Sequence, residues 1–235
     1  MRETELTYYF SHMDEFPLPA LFEGCTQPFE VLAKVKPFLN ALLADQAQTI
    51  LGEQHEGVFL SGPVFVGKGT VLHSGVVIEG PAWIGENCEL MAGAYVRPYT
   101  ILGNRCVVGH GCEVKHSVVQ NGAKVQSFTF IGDCMIGRSA RVGSGTILAN
   151  RKFNQSNVGV KINGTYIDLG TDFFGCVLGD NSRIGANSTT LPGTHIGPYS
   201  WVLPATRVKG FVPERTRIIA KEEYDITENE ALDLK

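Results

Sequence analysis

The chain has 235 residues, a formal charge of −4 and 43% hydrophobic residues, enough for one domain with short additions. The mild negative charge, with no basic run, argues against a nucleic-acid footprint. No apolar stretch is long enough to span a bilayer and Met1 to Phe10 lacks the apolar core of a secretory signal, so a cytoplasmic protein with no membrane partner is expected.

The first element is helical. Thr26-Gln27-Pro28 reads as a helix start with Pro just inside it. Phe29, Leu32 and Ala33, then Leu39, Leu42, Leu43, Ala47 and Ile50, recur at helical spacing. Pro37 interrupts them, which predicts two short helices or one kinked helix.

From Leu60 to Val114 an aliphatic residue falls at every sixth position: Leu60, Val66, Leu72, Ile78, Ile84, Leu90, Val96, Leu102, Val108, Val114. A small or β-branched residue stands four places after each. Six matches neither the period of a helix nor sustained alternation. It matches short strands joined by tight corners, three to a coil, with the aliphatic anchors pointing inward. The predicted fold is an all-β solenoid, a left-handed parallel β-helix of hexapeptide repeats. Residues eighteen apart then stand in one column, separated by roughly 4.8 Å.

The register stumbles twice, with five-residue steps from Val114 to Val119 and from Ile131 to Ile136. It lapses over 149–177, predicted as a loop excursion, and resumes from Leu178 to Val208. Gly67, Gly85, Gly103, Gly109 and others directly follow an anchor, where a turn of unusual backbone geometry would favour glycine. An uncapped solenoid end is an open sheet edge, so residues 1–56 are expected to be a helical cap across it. The solenoid is assigned to 57–210. Residues 211–235, with Arg215, Arg217, Lys221 and the acidic cluster Glu222, Glu223, Asp225, Glu228, Glu230 and Asp233, are expected to be a solvated tail. Of six cysteines, Cys88, Cys106 and Cys112 fill inward slots, which suits a reduced core.

Gly62 to Thr70 approximates a phosphate-binding P-loop, but the hexads account for each of its residues. Asp133, Cys134, His110 and His116 give no tetrahedral ligand set, so no metal is expected. The columns carry more chemistry. Glu79, Arg97 and Lys115 are eighteen apart. Two stacked cations repel unless an anion lies beside them, either Glu79 in a structural ladder or the phosphate of a ligand. Allowing for the short step, His110 and Ser127 share another column, where imidazole could serve as a general base.

Val96-Arg97-Pro98 through Gly132-Asp133, with Gly145 to Asn150, resembles the acetyltransferase domain of the bifunctional glucosamine-1-phosphate acetyltransferase/N-acetylglucosamine-1-phosphate uridylyltransferase. Val158 to Gly164 and Gly175 to Asp180 resemble the archaeal-type sugar-1-phosphate nucleotidylyltransferases that carry the same C-terminal solenoid. The resemblance implies a homotrimer that takes acetyl-CoA between neighbouring coils. Its small-molecule partner would be a sugar phosphate or nucleotide sugar, acetylated on its amine without a metal. Arg97 and Lys115 match the phosphate-holding cations and Asn150 the substrate-binding Asn. Phe130 replaces the Tyr of a His-x-x-Tyr element, and Ser127 replaces its His, the family's catalytic base. The family's coenzyme-contacting serine falls at Ala186, and its loop lysine near Gly159 is missing, with Lys161 two places away. No glycine-rich nucleotide motif precedes the solenoid, so the nucleotidylyltransferase half is expected to be missing.

A serine has no ionisation near neutral pH with which to accept an amine proton. Three functions remain open: an acyltransferase whose base is His110 or His116, a catalytically silent protein binding a sugar phosphate or nucleotide sugar, and a scaffold that trimerises a partner through its helices.

Overall fold

A computed structural model describes residues 1–45, 48–221 and 223. The hexads form strands of two or three residues that stack in parallel into three sheets of nine, nine and eight strands. The chain is a left-handed parallel β-helix. On one face the inward column runs Leu60, Ile78, Val96, Val114, Ile131 and Leu148, each in register with the next. From Ile78 onward these side chains are wholly buried. Backbone bonds such as Arg97 N to Val114 O, 2.8 Å, tie each coil to its neighbour, so the polar backbone is satisfied while the interior stays apolar.

The glycines that follow the anchors have a different cause from the one expected. Gly85 and Gly109 are not among the residues with positive φ. A Cβ at Gly85 would stand 2.6 Å from the carbonyl carbon of Gly103, and one at Gly109 2.6 Å from the nitrogen of Ser127. The close approach of the next coil, rather than backbone conformation, selects glycine there.

The amino-terminal segment lies along the flank of the solenoid, not across its end. Gln27 and Pro28 open a single helix, Pro28–Leu42, with Pro37 inside it, and the Glu30 carboxylate accepts the backbone N–H of Gln27 at 2.9 Å. Val31, Val35 and Leu39 of the helix are buried together with Leu6, Tyr9 and Leu21 against Ile101, Val118, Met135 and Val177. Those four residues point outward from one sheet of the solenoid, which is therefore apolar on both sides. Such a sheet needs a cover, as parallel sheets generally do. Asp180 pins the segment, accepting from Ser11 N and Ser11 Oγ, both at 2.7 Å.

The excursion over 149–177 is partly ordered as an antiparallel hairpin, Gly159–Ile162 with Thr165–Asp168. Its Val160 and Ile162, with Val158, Leu169 and Phe174, join the same flanking apolar cluster. The strand Cys176–Leu178 re-enters the stack directly beside Met135–Ile136. Coiling starts before residue 57, with Gln48–Ile50 paired to Val64–Val66, and runs past 210 through Phe211–Val212 and Arg217–Ile218. Of the acidic cluster only Glu223 is described; the rest, like Ala47, lies outside the described residues. All six cysteines are free thiols. Among the described residues no helix is long and apolar enough to cross a membrane.

Ala94 occupies a fully buried slot at a corner. Ala94→Phe overpacks that corner and should destabilise the fold by roughly 1–3 kcal/mol, read as a lowered midpoint in thermal circular dichroism. An unchanged midpoint would contradict the inward register.

Candidate functional site

Outward from the buried column Ile78, Val96 and Val114 stand Glu79, Arg97 and Lys115, one on each successive coil. Their pairing differs from the ladder considered from sequence. Glu79 accepts a hydrogen bond from the Tyr95 hydroxyl at 2.8 Å. Arg97 Nη1 instead meets Glu113 Oε1 at 2.8 Å, and Lys115 Nζ meets Asp133 Oδ2 at 3.1 Å. Each cation thus has its own carboxylate.

Asp133 is the centre of the site. It is only 3% exposed. Its Oδ1 accepts from His116 Nδ1 at 2.7 Å, and its Oδ2 accepts from Asn150 Nδ2 at 2.5 Å as well as from Lys115. Burial alone would push the carboxyl up; the bonds from His116 and Asn150, with the Lys115 charge, outweigh it and hold the group below its ordinary value. Gly132 makes this possible, since a Cβ there would meet Asn150 Nδ2 at 2.6 Å and the Phe130 ring at 2.8 Å.

The two short steps in the register explain how His116 and Asp133 come together. Tyr99, His116 and Asp133 occupy the same corner on successive coils, all with left-handed backbone, φ 64°, 43° and 51°. Each five-residue step omits one corner residue between anchors, as Ile101 pairs with Val118 and Val118 with Met135. The shortened corners bring the side chains into one stack, with the Tyr99 ring 6.3 Å from the imidazole of His116, edge to face.

A cleft of about 430 Å³ opens over this stack, lined by Arg97, Lys115, His116 and Asp133, by Lys36 of the flanking helix and by Phe173 of the excursion. Lys36 Nζ lies 5.2 Å from the Tyr99 ring centroid and Lys115 Nζ 4.5 Å from that of Phe173. Among the described residues no carboxylate pairs with Lys36.

Arg97, Lys115 and Asn150 therefore converge, and Phe130 lies against Gly132 and Asn150. His110 and Ser127 share one corner on adjacent coils, but at the other end of the same face. There His110 Nδ1 approaches the Ala92 carbonyl oxygen at 2.5 Å and its ring stands edge-on to Phe128. Ala186 stands in the same corner column as His110 and Ser127, two coils beyond Ser127, against Gly143. Nearby is a second cleft of about 390 Å³, lined by Arg141, Arg183 and Trp201. Lys124, Arg141, Arg183 and Trp201 form a continuous outward column, and among the described residues no carboxylate pairs with its three cations. Among the described residues no cluster of His, Cys, Asp and Glu could hold a metal ion. Sequence reasoning missed Asp133 as a hub, Lys36 and Phe173. The paired five-residue steps were the available signal for Asp133; nothing local marks the other two.

A family model described as the GMPPB C-terminal domain matches residues 78–184. The bifunctional sugar-1-phosphate nucleotidylyltransferase/acetyltransferase of Sulfurisphaera tokodaii is 36% identical over 101 residues, 43% of this chain and 25% of that protein. The bifunctional protein GlmU of Methanocaldococcus jannaschii is 30% identical over 227 residues, 94% of this chain and 54% of that one. The chain thus spans about half or less of the length of these relatives, and resembles the solenoid domain noted from its motifs. The UDP-N-acetylglucosamine acyltransferase of Francisella novicida shares the fold, with a TM-score of 0.51 and 15% identity over 69% of this chain and 61% of that one.

Asp133→Asn removes the carboxylate that His116, Lys115 and Asn150 share, and should cost about 1–3 kcal/mol at neutral pH. Because the folded-state value of Asp133 lies below the unfolded one, its stabilising contribution is complete above the ordinary carboxylate range and disappears as pH falls through the folded value. Urea melts from pH 7 to pH 3 should show the variant and the wild type converging in acid; a constant gap would contradict an ionised Asp133.

Proposed function

We propose that the protein is an acyltransferase that moves an acetyl group from acetyl-CoA to the amine of an amino-sugar phosphate or nucleotide sugar. The observation that carries this reading is the convergence of Arg97 and Lys115 in one cleft with an additional cation, Lys36, which has no carboxylate partner among the described residues, while Asn150 is bonded to Asp133 in the cleft wall. Glu113 and Asp133 balance Arg97 and Lys115, leaving the Lys36 charge to favour an anionic ligand. A guanidinium fork and two ammonium groups suit phosphate. The rings of Tyr99 and Phe173 offer apolar surface to a sugar or a base.

Acetyl transfer is supported by the resemblance to the Sulfurisphaera tokodaii protein, whose name joins a sugar-1-phosphate activity to an acetyltransferase. For the donor, the column Lys124, Arg141 and Arg183 beside Trp201 and Ala186 provides cations with no carboxylate partner among the described residues and a ring, groups suited to the phosphates and adenine of a coenzyme A thioester. Phe130 would pack on the sugar without the hydrogen bond a tyrosine would give. Ser127 and His110 would serve the reaction only if their corner met the cleft in an assembly. We place the protein in the cytoplasm, consistent with its free thiols, as a homotrimer.

Two measurements test this. The purified chain should consume acetyl-CoA in the presence of glucosamine 1-phosphate, and calorimetry should show Arg97→Ala and Lys115→Ala each weakening that sugar phosphate by roughly 1.5–3 kcal/mol. Binding without turnover in the wild type would favour a silent binding protein; affinity unchanged in the double variant would remove the phosphate site. Light scattering should give three chains per particle at micromolar concentration, and a monomer would refute the assembly.

A further inference from the structure

We infer that His116, held by Asp133, is the group that takes the proton from the attacking amine. The inference rests on the acyl-transfer reading of the cleft, and supplies what that reading lacks, since Ser127 has no group able to accept a proton near neutral pH.

The geometry selects His116 over the other imidazoles. Its Nδ1 lies 2.7 Å from Asp133 Oδ1. The carboxylate is ionised and buried, so it accepts from Nδ1–H, which fixes the neutral tautomer with its lone pair on Nε2. The ring lines the cleft beside Lys115 and Arg97, with its side chain 23% exposed. Asp133 touches no reacting atom. It is a positioning residue, and one carboxylate orients the base, Lys115 and Asn150 together. His110 has none of this: it is exposed, faces a backbone carbonyl and a phenyl ring, and lies a strand's length away, on the order of 15 Å.

The step balances as follows. The amine nitrogen bonds to the thioester carbonyl carbon and gives its proton to Nε2 of His116. The carbon–sulfur bond breaks, and the departing thiolate takes that proton from the imidazolium. The charged groups facing His116 are Asp133 and Lys115 from the solenoid, with Arg97 on the same face and Lys36 from the flanking helix.

The test uses the full chain with acetyl-CoA and glucosamine 1-phosphate, comparing wild type, His116→Gln, Asp133→Asn, Asp133→Glu and His110→Gln. His116→Gln should lower kcat by about 10²–10⁴-fold while leaving KM for the sugar within a few-fold. Asp133→Asn should lower kcat, and Asp133→Glu, which keeps an anion able to accept from His116 Nδ1, should lose less. His110→Gln should lower kcat at most a few-fold, far less than His116→Gln. Added imidazole should partly restore His116→Ala, which a disturbed fold would not allow. Turnover in His116→Gln close to wild type, an Asp133→Glu variant no better than Asp133→Asn, or a loss confined to His110→Gln would each overturn the assignment while leaving acyl transfer standing. A wild type that consumes no acetyl-CoA would remove the acyl-transfer reading and this base with it.

Discussion

Everything in this molecule depends on coils stacking at the distance set by backbone hydrogen bonds. Each coil can lie on the next only if its interior is filled by side chains of similar size and its corners clear the neighbouring backbone. The buried aliphatic columns meet the first condition and glycines such as Gly85 and Gly109 meet the second. The same spacing sets the chemistry, because side chains at one position on neighbouring coils must be neighbours. Arg97 and Lys115 are adjacent for that reason, and each needs a compensating anion.

The carboxylate of Asp133 shows how the stack resolves this demand. A buried, isolated carboxylate is costly, and so is an uncompensated pair of cations. Placing Asp133 within reach of Lys115, His116 and Asn150, with Glu113 on Arg97, removes both costs. It also immobilises three side chains, Lys115 on a strand, His116 at a corner and Asn150 just beyond the strand Ile147–Leu148. The result is a preorganised polar cluster beneath an open cleft, the arrangement that lets a site act on a ligand without first reorganising.

The parts outside the solenoid have a structural role that also shapes the site. One sheet is apolar on both sides, so the amino-terminal helix and the excursion must pack over it. In covering it they reach the corner where Tyr99, His116 and Asp133 stack. From there Lys36 and Phe173 form two walls of the cleft. The lapse in the repeat over 149–177 thus contributes to the site as well as interrupting the coil.

The fold was legible in the sequence because its period is local: an anchor every six residues, with inward and outward positions, follows from the chain alone. The Arg97 and Lys115 column was legible for the same reason, as a fixed offset along a regular coil. Residues that break the period could not be placed that way. The pairing of His116 with Asp133 depends on two shortened corners falling on consecutive coils, and the offset between them changes from eighteen to seventeen. Lys36 and Phe173 are separated from the site by long stretches of chain and reach it only through burial of an apolar flank. The partner of Arg97 was likewise decided in three dimensions, where Glu113 reaches it and Glu79 is taken by Tyr95. Sequence determined the lattice of the coil; the packing of irregular segments against it decided which side chains share a cleft, because those contacts are set by shape and burial rather than by spacing.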